Sequence, residues 1–362
     1  MALTFQPNSV FRTEVERAVA AYFESTGLSE RDVPRMYLKT LTMFLWLSAS
    51  YVGLVFFASG FWSALPFSVS LGLAMAGIGF SVQHDGGHGA YSEHKFVNRC
   101  MAWSLDILGG SSYFWHFKHN IAHHTYPNIT GADDDLVVGA IGRLSPYDPW
   151  RAPFRFQHVY LWFLYGLLPI RWQLMDDFHS MIDPGIGQTK VTRPSGWNLV
   201  RFWLGKATFC TWAFVLPMSR HSVASVLLFY VITQFVLGIV LATVFQMAHC
   251  VEEATFPMPG EDGRMQRDWA THQVYTTVDF AHGNRLLTWY VGGLNYQVEH
   301  HLFPRICHIH YPALAPIVER VALSQGIPYR NNRRLSDALR SHYRWLRRMG
   351  SEQAAPAMEQ AS

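Results

Sequence analysis

Eighteen of the 362 residues are histidine, and eight of these occupy positions from which imidazoles can converge. Three clusters hold seven of them: His84-Asp-Gly-Gly-His88, His119-Asn-Ile-Ala-His123-His124 and Gln297-Val-Glu-His300-His301. On an α-helix, residues four apart differ by about 40° in azimuth, so His84 with His88, and His119 with His123, can each aim two imidazoles at one point. Gln297 pairs in the same way with His301, or with His300 at three apart. The adjacent pairs His123/His124 and His300/His301 diverge by about 100°, which suits two metal ions better than one. His249, at the end of a long uncharged run, completes a set of eight, about twice what one zinc takes. An all-nitrogen, thiolate-free site with open positions suits redox-active iron and dioxygen. Any one of these histidines alone reads as a hydrogen-bonded helix-end residue; the three clusters in order carry the inference. The remaining ten, His116 and His308 among them, read as structural or surface residues.

The elements that must carry these clusters are membrane helices. Apolar residues make up 49% of the chain and charged residues only 15%, against about a quarter charged in soluble domains. Thirteen Trp and sixteen Tyr fit bilayer interfaces. A net charge of +3 with no Lys/Arg block argues against a nucleic-acid partner. Cys100, Cys210, Cys250 and Cys307 form no C-x-x-C pair and are expected as free thiols. The N-terminal stretch becomes charged early and has no apolar segment before a cleavage site, so no cleaved signal is expected.

Thr40 to Gln83 contains no charged residue, about twice what one helix needs to cross roughly 30 Å of hydrocarbon. This predicts a hairpin of spans at about 41–60 and 65–82. The uncharged run Ser222 to Ala248 predicts a span at 222–248, and its partner at 199–219 contains Arg201 and Lys206, both expected to snorkel to the near interface. Arg31, Arg35 and Lys39 precede the first span and place the N-terminus in the cytoplasm. Were Phe156 to Ile170 also to cross, His249 would emerge opposite the second cluster, so that stretch is read as an interfacial helix. The fold class expected is an all-α integral membrane protein with four transmembrane helices, interfacial helices and a cytoplasmic helical cap (84–156 and 249–349) holding a His-rich dimetal site. Residues 1–349 form one domain, and the tail 350–362 reads as disordered.

The text around the clusters narrows the reading. WHFKHNIAHHTYPN at the second, GGLNYQVEHHLFPRICHIHYP at the third, MYLKT near residue 37 and RFQHVYLWFLYG near residue 155 resemble the membrane fatty acid desaturases. The likeness runs from about residue 10 to residue 349 and is closest to the bacterial and cyanobacterial front-end branch, delta-6-type and linoleoyl-CoA-desaturase-like. It implies a fatty acyl-CoA or acyl-lipid substrate, a cis double bond as product, two iron ions as cofactor and O2 as co-substrate. By the same resemblance the iron ligands are His84, His88, His119, His123, His124, His249, His300 and His301. Gln297 stands where much of the wider family has the first histidine of the third cluster, and is carried as a further candidate. A bacterial inner membrane, with the site on its cytoplasmic side, is the expected location.

A methylene C–H bond has no acidity that a general base could use, which is why such a substrate demands a redox metal pair. The protein's share is to hold the acyl chain bent in a dry apolar tunnel with one carbon pair at the metals. Electrons must come from outside, since the chain has no G-x-G-x-x-G, no cysteine set for an iron–sulfur cluster and no H-P-G-G segment. A separate ferredoxin, or cytochrome b5 with its reductase, is the expected donor. Asp85, Glu299 and the run Asp133 to Asp135 are candidates for orienting the imidazoles. The alternatives are a hydroxylase on the same scaffold and a histidine-rich metal transporter, whose ligands would lie near the bilayer midplane on broken helices.

Overall fold

The computed structural model describes residues 3–183, 185–186 and 189–354. Four of its helices are long and apolar enough to cross a membrane: Pro34–Phe57, Phe61–His88, Trp197–Met218 and Val223–His249, of 24, 28, 22 and 27 residues, here spans one to four. At about 1.5 Å per residue each exceeds the roughly 30 Å of a hydrocarbon core. The number of candidate spans matches the four expected. Span two is the central one, with 61% of its apolar window buried against 22% to 28% for the others. Its small residues permit this. A Cβ on Gly72 would lie 2.6 Å from the Thr233 carbonyl of span four, and one on Gly77 would lie 2.8 Å from Met43 Sδ of span one. Trp46 and Ser50 of span one meet Ser70 of span two at 2.8 and 2.7 Å. Tyr51 donates to the Trp212 carbonyl of span three at 2.6 Å.

Two departures from the sequence reading concern span ends. Span two does not stop at Val82; it continues through a π-helical turn, Gly79–Gln83, so that His84–His88 is its last segment. Lys206 does not snorkel. It is buried in span three, with Nζ 2.6 Å from Asp177 Oδ2 and donating to the Gly109 carbonyl at 2.7 Å and the Gln173 carbonyl at 3.2 Å. An ion pair inside the protein replaced the route to the interface.

The stretch expected in the interface plane forms the helix Gln157–Arg171. It lies lengthwise on span four: a Cβ on Gly238 would meet the Tyr165 carbonyl at 2.3 Å, and Gln173 just beyond the helix reaches Gln234 at 3.0 Å and Tyr230 at 2.8 Å. The chain after span four folds as helices and turns around the C-terminal ends of spans two and four. Strands are few among the described residues, in three two-stranded pairings. The main core, including Met36, Met75, Phe80, Met247, Phe280 and Leu294, joins the spans to this end. Of the tail, Arg143 binds the Ser351 and Ala354 carbonyls, and 355–362 lie outside the described residues. The four cysteines are free.

Candidate metal centre

Spans two and four deliver His84, His88 and His249 to the same end of the bundle, and the second and third clusters fold onto it. The first cluster needs its glycines: a Cβ on Gly87 would lie 2.3 Å from the Trp115 ring, and that ring stacks on His119 at 4.6 Å. The second cluster is not α-helical as the spacing suggested. His116–His123 is a π-helix, a form with i→i+5 hydrogen bonds that recurs at functional sites. In an α-helix His119 and His124, five apart, would diverge by about 140°; here their Nε2 atoms are 3.3 Å apart. The third cluster, Gln297–Leu302, is a short helix with every residue buried. Gly292 ahead of it has φ 62° and would press a Cβ to 2.1 Å from the Phe80 carbonyl, so only glycine lets this segment lie against span two.

All eight candidate histidines are brought together. Ring nitrogens of His84, His88, His119 and His300 lie within 4.8 Å of one another, as do those of His123, His249 and His301, with His124 joining His300 and His301 in a third set. His84 and His119 approach to 3.2 Å through Nε2. Gln297 is there too, its amide nitrogen 2.9 Å from His249 Nε2 and its Oε1 buried without a partner. Amide oxygen and nitrogen exchange by rotation, so either atom can face the histidine.

Three imidazoles are held from behind. His123 Nδ1 lies 3.1 Å from both Asp133 oxygens, His301 Nδ1 donates to Gln273 Oε1 at 2.8 Å, and His300 Nδ1 meets the Tyr311 hydroxyl at 3.3 Å. The carboxylate and the amide oxygen can only accept, and the Tyr311 hydroxyl is free to accept from His300 because it donates to the Phe303 carbonyl at 3.4 Å; with the proton on Nδ1, Nε2 keeps a free lone pair, the arrangement metal-binding imidazoles use. Nε2 of His88, His123, His300 and His301, with Nδ1 of His124 and His249, are buried with no hydrogen-bond partner. One such orphan costs about 1–3 kcal/mol. Six such orphans on the histidines of one cluster fit a pair of bound cations.

Electrostatics agree. Burial first, and the neighbouring imidazoles next, hold His124, His300 and His301 well below the ordinary histidine range, so they are neutral at neutral pH, the form in which imidazole binds a metal. Burial also lowers His119. His123 differs: burial opposes its charge, but the Asp133 and Asp135 carboxylates together outweigh it and raise the pKa.

Of the acids expected behind the imidazoles, Asp133 serves, and Asp135 stands 3.7 Å from His123 Nδ1 and 3.8 Å from His119 Nδ1. Asp85 instead binds His308 Nδ1 at 2.9 Å, and His308 Nε2 meets the buried Lys39 at 2.9 Å. Lys39 is thus inside span one rather than in a loop ahead of it. Glu299 accepts from Tyr329 at 2.9 Å; burial, and then Asp279, push its carboxyl well above the usual range. Sequence reasoning missed Gln273, Tyr311 and Asn128, whose side-chain amide donates to the carbonyls of His249, Thr255 and Thr276. No local spacing marks them.

Comparison with known proteins follows the same line. The fatty acid desaturase family model matches residues 59–333. The chain is 36% identical over 359 residues to a sn-1 linoleoyl-lipid 6-desaturase of Arthrospira platensis, covering 99% of this chain and 97% of that one. It is 37% identical to a protein of the same name from Synechocystis sp., over 96% and 98% of the two chains. An acyl-lipid (8-3)-desaturase of Physcomitrium patens is 36% identical over 95% of this chain and 72% of its own. With a family model over most of its length and two relatives covered to 97% and 98% of theirs, the chain belongs to the fatty acid desaturase family and is an oxidoreductase of lipid metabolism.

Proposed function

We propose that the chain desaturates an acyl group of a membrane glycerolipid at a diiron centre. His84, His88, His119 and His300 would hold one iron, and His123, His124, His249 and His301 the other, with Gln297 beside His249 as a further ligand. The observation that carries this is the convergence of eight buried imidazoles, six of them with an orphaned ring nitrogen. Two bound irons, supplied with two electrons and two protons, would provide the means for dioxygen to take two hydrogen atoms from neighbouring methylenes, giving a cis double bond and two waters.

The chain's own residues do the positioning. Asp133, Gln273 and Tyr311 fix the tautomer and rotation of three imidazoles. Trp115 stacks on His119, and Phe245 of span four lies against it with ring centres 6.1 Å apart; these rings help exclude water. The names of the Arthrospira and Synechocystis relatives favour a lipid-bound acyl chain over acyl-CoA, with insertion at carbon six. Arg31 just ahead of span one and Arg35 in its first turn support a cytoplasmic site. The helix Gln157–Arg171, with Val159 and Phe163 outward, borders lipid. Residues 1–349 act as one domain, and the electrons come from a separate ferredoxin, or cytochrome b5 with its reductase.

Expression in a host of defined fatty acids, with mass spectrometry of double-bond positions, tests this. A product two hydrogens lighter is expected, absent with His123→Ala. A product heavier by one oxygen contradicts it.

A further inference from the structure

The charge of this chain is unevenly spread. The whole molecule carries only +3, yet one helix, Leu335–Met349, exposes Arg340, Arg344, Arg347 and Arg348 opposite its buried Ala338, His342, Trp345 and Leu346. Its C-terminal end packs on the start of the helix Gln157–Arg171. Trp150 donates to the Gly350 carbonyl at 2.8 Å, Gln157 to the Leu346 carbonyl at 2.9 Å, and the rings of His158 and Tyr343 lie 5.3 Å apart. Arg151 and Arg155, both exposed, thereby join Arg347 and Arg348 on one rim. Arg340 and Arg344 are answered by Asp337 and Glu252. The four rim arginines meet no carboxylate among the described residues; Arg155 and Arg348 lie over the rings of Phe156 and Trp345.

Immediately beyond the rim an apolar stripe begins. Phe156, Val159 and Phe163 are 55%, 64% and 59% exposed, while Leu161 and Tyr165 on the opposite side of their helix are buried in a core shared with Ala242 of span four; the stripe's edge meets span four where the Phe163 and Phe235 ring centres lie 5.3 Å apart. Residues at this spacing share one helix face. An exposed apolar stripe beside a membrane-spanning helix is stable in lipid rather than water, and arginines at its end then lie at headgroup depth.

We propose that this rim binds the headgroups of anionic glycerolipids, whose acyl chains lie along the Phe156–Phe163 stripe. Guanidinium forks match phosphate oxygens two at a time, and unpaired arginines attract anionic headgroups without first breaking an internal ion pair. An acidic soluble protein would answer the charge but leave the stripe uncovered, so lipid is the occupant. The site is separate from the metal centre and does not depend on which reaction occurs there.

The test uses the full chain with iron bound, in nanodiscs of phosphatidylcholine mixed with phosphatidylglycerol, counting phosphatidylglycerol retained by native mass spectrometry. Arg151→Gln/Arg155→Gln and Arg347→Gln/Arg348→Gln are compared with the matching lysine pairs, and thermal unfolding and iron content are followed in each. Each arginine lost should weaken retention about fivefold, the effect of one basic residue at an anionic surface. The glutamine pairs should therefore lose retention by more than tenfold, the lysine pairs much less, with folding and iron content unchanged. If a glutamine pair does not fold, the lysine pair and Phe163→Asn, which interrupts the stripe alone, take its place, each expected to reduce retention measurably. Equal retention by the parent chain and folded variants overturns the proposal. So does displacement of the lipid by inorganic phosphate at constant ionic strength, or rim-dependent binding of soluble polyglutamate without retention of phosphatidylglycerol.

Discussion

Asp133 presents both carboxylate oxygens to a single imidazole, Nδ1 of His123, at 3.1 Å each. The same carboxylate accepts from the Asn128 backbone N–H at 2.9 Å, so it is fixed before any metal arrives. Asp133→Ala frees the ring to rotate and to place its proton on the wrong nitrogen. Loss of such a partner lowers metal affinity about 10- to 100-fold. Iron retained against a chelator should fall by that factor, with Asp133→Asn intermediate because its amide oxygen still accepts.

Asn128 ties the end of span four to the loop after the second cluster. Its φ of 59° is one that asparagine tolerates and glycine adopts freely. Asn128→Gly therefore removes the bonds to the three carbonyls without straining the chain. The amide has two hydrogens to share among the three carbonyls, so at roughly 1 kcal/mol per bond a loss of about 2 kcal/mol is expected in denaturant unfolding. Asn128→Asp, which cannot donate to carbonyls, should cost at least as much.

The Lys206–Asp177 pair predicts an asymmetry. Lys206→Met leaves a buried carboxylate unpaired and should cost about 3–5 kcal/mol, whereas Lys206→Met combined with Asp177→Leu should recover much of it. Thermal unfolding in detergent measures both. Equal stability of the single variant and the parent chain would show that the pair is not sequestered.

Acid should weaken the fold through His272 and His342. Burial pushes each down to about 4, partly offset by bonds to the Pro127 and Cys250 carbonyls. A histidine whose folded pKa is depressed binds fewer protons than in the unfolded chain, so stability is intact above about pH 6.5 and falls as pH drops toward 4. Each contributes a loss of about 3 kcal/mol across that window. His342→Gln, which can still serve Tyr165 and the Cys250 carbonyl, should make the fall of Tm with pH visibly shallower.

The cluster histidines were legible in the sequence because residue type and spacing within a few positions carry their signal, and the four spans because apolar length does. What surrounds them was not. Gln273 reaches His301 from 28 positions away and Asp85 reaches His308 from 223, distances over which no periodicity operates. The π-winding that turns His124 toward His119 is a backbone choice that α-helical spacing conceals. Lys206 looked like a snorkelling residue because its partner, Asp177, lies outside the span.

Metal analysis of the purified full-length chain bears most directly on the whole account. Two irons per chain are expected, with His84→Ala and His301→Ala each lowering the count, and dioxygen uptake matching double bonds formed. Protein that is active without iron, or that keeps its full metal content in both variants, would contradict it.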